Sequence, residues 1–172
     1  MAFDVADLEA LEESGRLQTV ILHEMLHVVG FGTVWTDVEP PLLAGAGTAD
    51  SAFAGAQALA AAIGWNGAPA GWTSVPVENT GGSGTQDSHW RETVFGSELM
   101  TGWLGSGATT PFSRTTVGSL ADLGYLVDLD AADPFDLSAA GLRAEGGAEL
   151  FLGDDVRHLP LVELPPSTRP GR

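Results

Sequence analysis

The chain has 172 residues, enough to bury the core of one domain but too few for two. Its 23 acidic residues outweigh seven arginines, lysine is absent, and the net charge of -16 makes nucleic acid an unsuitable partner. Such acidity is typical of a solvated surface or of adaptation to high salt. Cysteine is also absent, so a zinc ion has to be bound by His and carboxylates, and no apolar run is long enough for a membrane span.

The N-terminal part predicts two consecutive helices. Residues 4–15 show amphipathic spacing and close with Gly15, and residues 17–29 contain neither Gly nor Pro. Four apolar residues of the second helix follow the i, i+3, i+4, i+7 spacing that indicates a buried stripe: Leu22, Met25, Leu26 and Val29.

The rest of the chain alternates helices with turn-rich segments. Residues 52–63 predict a helix of small residues, and residues 64–84 predict loop with one extended piece at 75–77. Residues 115–123 predict a helix that ends at Gly124. The pattern weakens after residue 128, and the proline-rich end predicts an extended or disordered tail.

The string His23-Glu24-Met25-Leu26-His27 is the main candidate for chemistry. Residues four apart on a helix point the same way, so the two imidazoles converge, and Glu24 lies beside them, free to act as a base. Zinc held by three imidazoles keeps a fourth position for water, whose pKa it lowers to about 7. This pattern favours hydrolysis without a covalent intermediate, although a short motif also arises by chance and paired histidines also cap or pack.

A third ligand is needed beyond this string. The compact form of the motif would place a histidine at the position of Thr33, so the third ligand lies elsewhere. His158 lies in a weakly patterned stretch before the proline-rich end, which makes His89 the better candidate. The alternative is a site in which a carboxylate, Glu92 or Glu98, replaces His89.

The segment around His89 resembles the leishmanolysin-like metzincins, in particular the bacterial members of that family. That family combines an HExxHxxGF segment, an insertion, a His-Trp pair and a Glu-Leu-Met sequence at a methionine turn. The corresponding segments here are residues 23–31, 89–90 and 98–100, and the resemblance extends over residues 3–133.

The resemblance implies an α+β fold, a metzincin-like zinc metallopeptidase domain that is mostly helix and loop in this portion. The domain would cover residues 1–136, followed by a C-terminal extension, 137–172. Within the domain we expect three functional segments: an active-site helix at 17–29, an insertion at 33–88, and a third-ligand and methionine-turn segment at 89–103. The residues before His23 predict helix and connector, so we expect the sheet that metzincins place there to be missing.

By the same resemblance, one catalytic zinc ion would be bound by His23, His27 and His89. Glu24 would be the general base, and Met100 would lie under the metal without binding it. The substrate would be a protein or peptide. Secretion is expected by analogy, although the N-terminal residues are acidic where a signal peptide is basic. The alternatives are an inactive zinc-binding or interaction module and a fragment of a larger metallopeptidase; the sequence gives no indication of the oligomeric state.

Several other residues are weaker candidates. Asp87, Glu92 and Glu98 lie near the predicted third ligand, where a carboxylate either orients an imidazole or remains solvated. Tyr125 either supports an oxyanion or packs at a helix end. The Gly-Gly-Ser-Gly run at 81–84 predicts a flexible loop leading to His89.

Overall fold

The computed structural model describes residues 5–65, 68–104, 110–140 and 150–152. Helices and short strands alternate along this part of the chain. The helices are α1 (Val5–Glu13), α2 (Leu17–Val28), α3 (Ala56–Ile63), α4 (Glu92–Phe95), α5 (Arg114–Asp122) and α6 (Leu137–Ala140), with a 3₁₀ helix at Leu129–Ala131. The strands are β1 (Leu43–Ala44), β2 (Ala52–Phe53), β3 (Val75–Pro76), β4 (Trp103–Leu104) and β5 (Leu150–Phe151). The mixture of helix and strand agrees with the expected α+β class.

The two N-terminal helices form as predicted from local signals. Helix α1 is closed by Gly15, whose φ of 71° lies in the left-handed region where glycine carries no Cβ penalty. Helix α2 begins two residues later and ends one residue before the predicted boundary. Its last carbonyl groups are tied by Gly30, which donates to His27 O, and by Phe31, which donates to Leu26 O.

The predicted buried stripe of α2 is wrong except for Leu26. Leu22, Met25 and Val29 are 38%, 53% and 38% exposed, whereas the side chains that α2 buries are Val20, His23, Leu26 and His27. Helix α2 therefore faces the core with its two imidazoles and not with the predicted apolar stripe. The two imidazoles can be buried here because one ring nitrogen of each forms a hydrogen bond with a backbone carbonyl.

The segment after α2 builds a small sheet and a helix pair. Strands β1, β2 and β3 form an antiparallel sheet in the order β1-β2-β3, in which Phe53 pairs with Leu43 and Val75. Residues 52–53 are thus strand, and the helix predicted from residue 52 begins only at Ala56. The extended piece predicted at 75–77 is confirmed by β3 and by a bridge from Val77 to Trp90.

Helices α3 and α5 pack closely against each other. A Cβ on Gly118 of α5 would lie 2.9 Å from the backbone nitrogen of Ala58, so only glycine permits this approach. Asp122 at the end of α5 accepts hydrogen bonds from the backbone N–H groups of Gln57 and Ala58, capping the first turn of α3. The helix predicted at 115–123 is confirmed with a shift of one residue, and Gly124 follows it with a φ of 96°.

An aromatic cluster fills the centre of the fold. Phe31, Trp35, Phe53, Trp90 and Phe95 are all buried, with ring centroids of neighbouring pairs 4.7–5.7 Å apart. These residues come from the chain after α2, from β2, and from the segment after the predicted third ligand. The cluster therefore joins both ends of the predicted insertion to one core.

Only part of the predicted C-terminal extension lies within the described residues. Leu137 of α6 joins the aromatic core, and β5 pairs with β4 through Leu150 and Phe151. His158 and the proline-rich end lie outside the described residues. Among the helices that the structure describes, none combines the length and hydropathy required to cross a bilayer.

Candidate metal centre

Helix α2 presents two imidazoles one turn apart, each held by a backbone carbonyl. His23 Nδ1 lies 2.8 Å from Leu99 O, and His27 Nδ1 lies 2.8 Å from Phe31 O. A carbonyl oxygen only accepts, so each Nδ1 carries the proton and donates. The Nε2 atom of each ring is therefore the unprotonated nitrogen and offers a lone pair.

The third imidazole reaches the same place from the end of the insertion. His89 Nδ1 lies 3.1 Å from Thr85 O and 3.1 Å from Ser88 Oγ. Donation to the Thr85 carbonyl again leaves Nε2 unprotonated. The two ends of the insertion meet beside this residue. Gly32, which directly precedes the insertion, lies against Ser88 at its end, and a Cβ on Gly32 would overlap Ser88 O. Glycine at position 32 thus permits the approach that brings His89 to α2.

The three Nε2 atoms form a nearly equilateral triangle. The distances are 3.0 Å between His27 and His23, 3.1 Å between His23 and His89, and 3.1 Å between His27 and His89. Three lone pairs that face one another at this range repel, and a cation at their centre removes the repulsion. Tetrahedral zinc with bonds of about 2.05 Å separates its nitrogen ligands by about 3.3 Å, which is close to the observed spacing. The residues present therefore fit zinc, and they form a buried group that could hold a metal ion.

The surroundings keep two of the three imidazoles neutral. Burial and, to a lesser extent, the neighbouring His27 lower the pKa of His23 to about 3, although the bond to Leu99 O partly counters both. Burial and the other two imidazoles likewise lower the pKa of His89 well below 6.5. A metal ion at neutral pH does not have to displace protons from these two rings.

The remaining predicted site residues lie next to this group. Glu24 follows His23 directly on α2 and is half-buried. Met100 is fully buried, and its carbonyl accepts a hydrogen bond of 2.9 Å from the backbone N–H of Trp90, the neighbour of His89. The segments predicted as the methionine turn and as the source of the third ligand are thus joined by a backbone hydrogen bond.

The groups that orient the imidazoles were not identified from the sequence, where carboxylates were the candidates. The structure uses carbonyls of Leu99, Phe31 and Thr85 instead. Every residue carries a carbonyl, so no sequence signal could have marked these three. Of the two alternatives for Glu98, solvation is wrong, because this side chain is completely buried.

Glu98 is tied to groups other than the imidazoles. Its Oε1 accepts from Ser113 N at 3.1 Å, Ser113 Oγ at 2.7 Å and Thr116 Oγ1 at 2.5 Å, and its Oε2 accepts from Met100 N at 2.6 Å. Burial raises the pKa of Glu98, and the four donors counter that shift. Asp87 instead accepts from the backbone N–H of Gly47.

Two further candidates have structural contacts. The hydroxyl of Tyr125, which is 49% exposed, donates to Val29 O at 2.9 Å and so ties the end of α5 to the end of α2. Residues 81–84 form a turn in which Gly81 and Gly82 have φ values of 89° and 82°. Thr85 directly follows this turn, and its carbonyl accepts a hydrogen bond from His89. Residues 81–84 therefore help to position the group that orients the imidazole of His89.

Comparison with known protein families adds one finding. The model of the family described as leishmanolysin matches residues 1–137 of the chain, a range that contains the three imidazoles, Glu24 and Met100. Neither the curated proteins nor the solved structures give a significant match.

Proposed function

Because this chain belongs to the leishmanolysin family of zinc metallopeptidases, we propose that it is a zinc-dependent endopeptidase with His23, His27 and His89 as its metal ligands. The observation that carries the proposal is the triangle of three Nε2 atoms, 3.0–3.1 Å apart. Family membership implies peptide substrates. By the same relationship we propose that the protein acts outside the cell, which its detection in culture medium or in cells would test.

In the proposed reaction, Glu24 moves the proton. Bound zinc supplies a Lewis acid that lowers the pKa of water to about 7 and polarises the scissile carbonyl. Glu24 takes a proton from the attacking water while the oxygen of that water bonds to the carbonyl carbon. Glu24 then gives the proton to the amine nitrogen as the C–N bond breaks. Met100 supports the site from the methionine turn, where its backbone is bonded to Trp90 and Glu98.

Two substitutions test separate parts of the proposal. Glu24→Gln keeps the size of the side chain and removes the base, so we expect about 100-fold to 10,000-fold lower kcat with unchanged zinc content. His89→Ala removes one ligand, and we expect the single bound zinc to be lost. Zinc stoichiometry by elemental analysis and cleavage of an unfolded protein substrate are the measurements.

The outcomes separate this proposal from its alternatives. One zinc per chain without cleavage by the parent would indicate an inactive zinc-binding module. Cleavage by Glu24→Gln at the rate of the parent would refute the role of this residue. Zinc retained at full affinity by His89→Ala would refute the three-histidine site and favour a carboxylate ligand.

A further inference from the structure

The peptide group between Leu99 and Met100 connects an imidazole to a buried carboxylate. Its carbonyl accepts from His23 Nδ1–H at 2.8 Å, and its N–H donates to Glu98 Oε2 at 2.6 Å. This bond is trans, so its C=O and N–H point to opposite sides of one planar unit. The result is a continuous array: imidazole, peptide group, carboxylate.

We propose that Glu98 is a positioning residue for the metal site, acting on His23 through the Leu99–Met100 peptide group. The inference rests on the proposed function, since it assumes that His23 binds zinc. A carboxylate that accepts from one end of an amide draws positive charge to that end and increases the negative charge on the carbonyl oxygen at the other. That oxygen then holds the Nδ1–H of His23 more strongly, and the Nε2 atom becomes a better donor to the metal.

The array is rigid because Glu98 is fixed on its other side. Ser113 is the N-cap residue of α5, and its backbone N–H and hydroxyl both donate to Oε1. Thr116, one turn further on, donates to Oε1 and accepts from the indole N–H of Trp90 at 2.8 Å. The carboxylate thus joins residues 98–100 to α5 and, through Thr116, to Trp90, the chain neighbour of His89.

Replacement by glutamine cannot preserve all of these bonds. One oxygen accepts from the backbone N–H of Met100 and the other from the backbone N–H of Ser113, and neither backbone group can accept in return. An amide NH₂ would face one of them in either orientation. Glu98→Gln therefore removes the charge and disrupts at least one backbone contact while keeping the shape of the side chain.

The control variant is Ser113→Ala, which removes a hydroxyl donor from Oε1 and leaves the Met100 contact in place. If Glu98 only braces the fold, both variants weaken zinc binding in proportion to their loss of stability. If it acts through the peptide group, Glu98→Gln weakens zinc binding by about tenfold, on the scale known for groups that support metal ligands, and Ser113→Ala changes it by less than about twofold.

The experiment measures the zinc Kd of both variants by competition with a chromophoric chelator, together with the NMR resonance of the His23 Nδ1 proton. We expect this proton to move upfield in Glu98→Gln and to stay in place in Ser113→Ala. A Glu98→Gln protein that binds zinc as tightly as the parent, with an unchanged His23 resonance, would overturn the inference.

A measurement on the parent covers the case in which Glu98→Gln does not fold. Zinc added to the metal-free protein should move the amide proton of Met100 downfield by more than those of Leu99 and Thr101, because only Met100 shares the peptide group that contacts His23. Equal shifts of the three amides would overturn the inference. A parent that binds no zinc would refute the proposed function and this inference with it, whereas zinc binding without peptide cleavage would refute only the proposed activity.

Discussion

Acidification should destabilise the metal-free protein through its buried imidazoles. The pKa of His23 is about 3 in the folded chain and about 6.5 in the unfolded chain, so between these pH values the unfolded chain binds the extra proton. The stability that the neutral imidazole provides is therefore complete above pH 6.5 and decreases as the pH falls towards 3.

The magnitude follows from linkage between protonation and folding. Between pH 7.5 and pH 5, His23 alone lowers the free energy of unfolding by about 2 kcal/mol. Burial also holds the pKa of His89 well below its ordinary value, so this residue adds to the loss in the same direction. Glu98 acts in the opposite direction because its pKa is raised, and it offsets part of the loss at the acidic end.

The assay is urea unfolding in EDTA at several pH values, followed by the fluorescence of the buried Trp35 and Trp90. A His89→Asn variant, which lacks one titrating ring, should show a smaller pH dependence than the parent. Saturating zinc should move the loss of stability to lower pH, because bound metal keeps the rings deprotonated. A metal-free parent with equal stability at pH 7.5 and pH 5 would refute the conclusion that the rings are buried in the neutral form.

Three further predictions test the packing. Leu26→Ala should cost about 2–5 kcal/mol in urea unfolding and Met25→Ala less than about 0.5 kcal/mol, since only the former side chain is buried; equal losses would contradict the orientation of α2. Gly32→Ala should weaken zinc binding at least about tenfold by pushing away the third-ligand segment. The control is Gly47→Ala, because Gly47 has a φ similar to that of Gly32 but no atom near the position of an added Cβ. This variant should cost about 1–2 kcal/mol of stability without changing the zinc Kd. Equal Kd values in the two variants would argue against a role for the contact between Gly32 and Ser88. Asp122→Ala should cost about 0.5–2 kcal/mol and increase hydrogen exchange at the first amides of α3, and unchanged exchange would exclude the cap.

The helices that local signals mark could be predicted from the sequence. Gly15 and Gly124 end α1 and α5 at backbone conformations that favour glycine, and the uninterrupted stretch between residues 17 and 29 gives α2. The strand at residues 52–53 could not be recognised, because two residues are too few to show the alternation that distinguishes a strand from a helix.

The orientation of α2 could not be predicted because apolar spacing was the only criterion. Leu22, Met25 and Val29 satisfy the helical period, yet the face with His23 and His27 is the buried one. A histidine face can point inward when backbone carbonyls accept its Nδ1–H groups, and one of these two carbonyls comes from a distant segment. Leu99, which provides one of them, lies 76 residues from His23, and its side chain has no part in the contact.

The candidate site was likewise only partly predictable from the sequence. The spacing of His23 and His27 follows from helical geometry alone, whereas His89 was assigned by resemblance and by elimination. The approach of His89 depends on contacts across the insertion, such as that between Gly32 and Ser88, which no local pattern indicates. Tertiary contacts of this kind bring the three imidazoles together, and a single sequence does not reveal them.

The Nδ1 contacts and the low pKa values have a common consequence for metal binding. Each ring is held by a backbone carbonyl that belongs to the folded core, so the ring orientations are set by the fold and not by the metal. The fold therefore keeps three lone pairs together in spite of their repulsion, and a bound cation removes that repulsion. Stability that the metal-free chain loses at this site contributes to zinc affinity, which couples folding to metal binding. Substitutions that loosen the carbonyl contacts should consequently weaken zinc binding even where the three histidines remain.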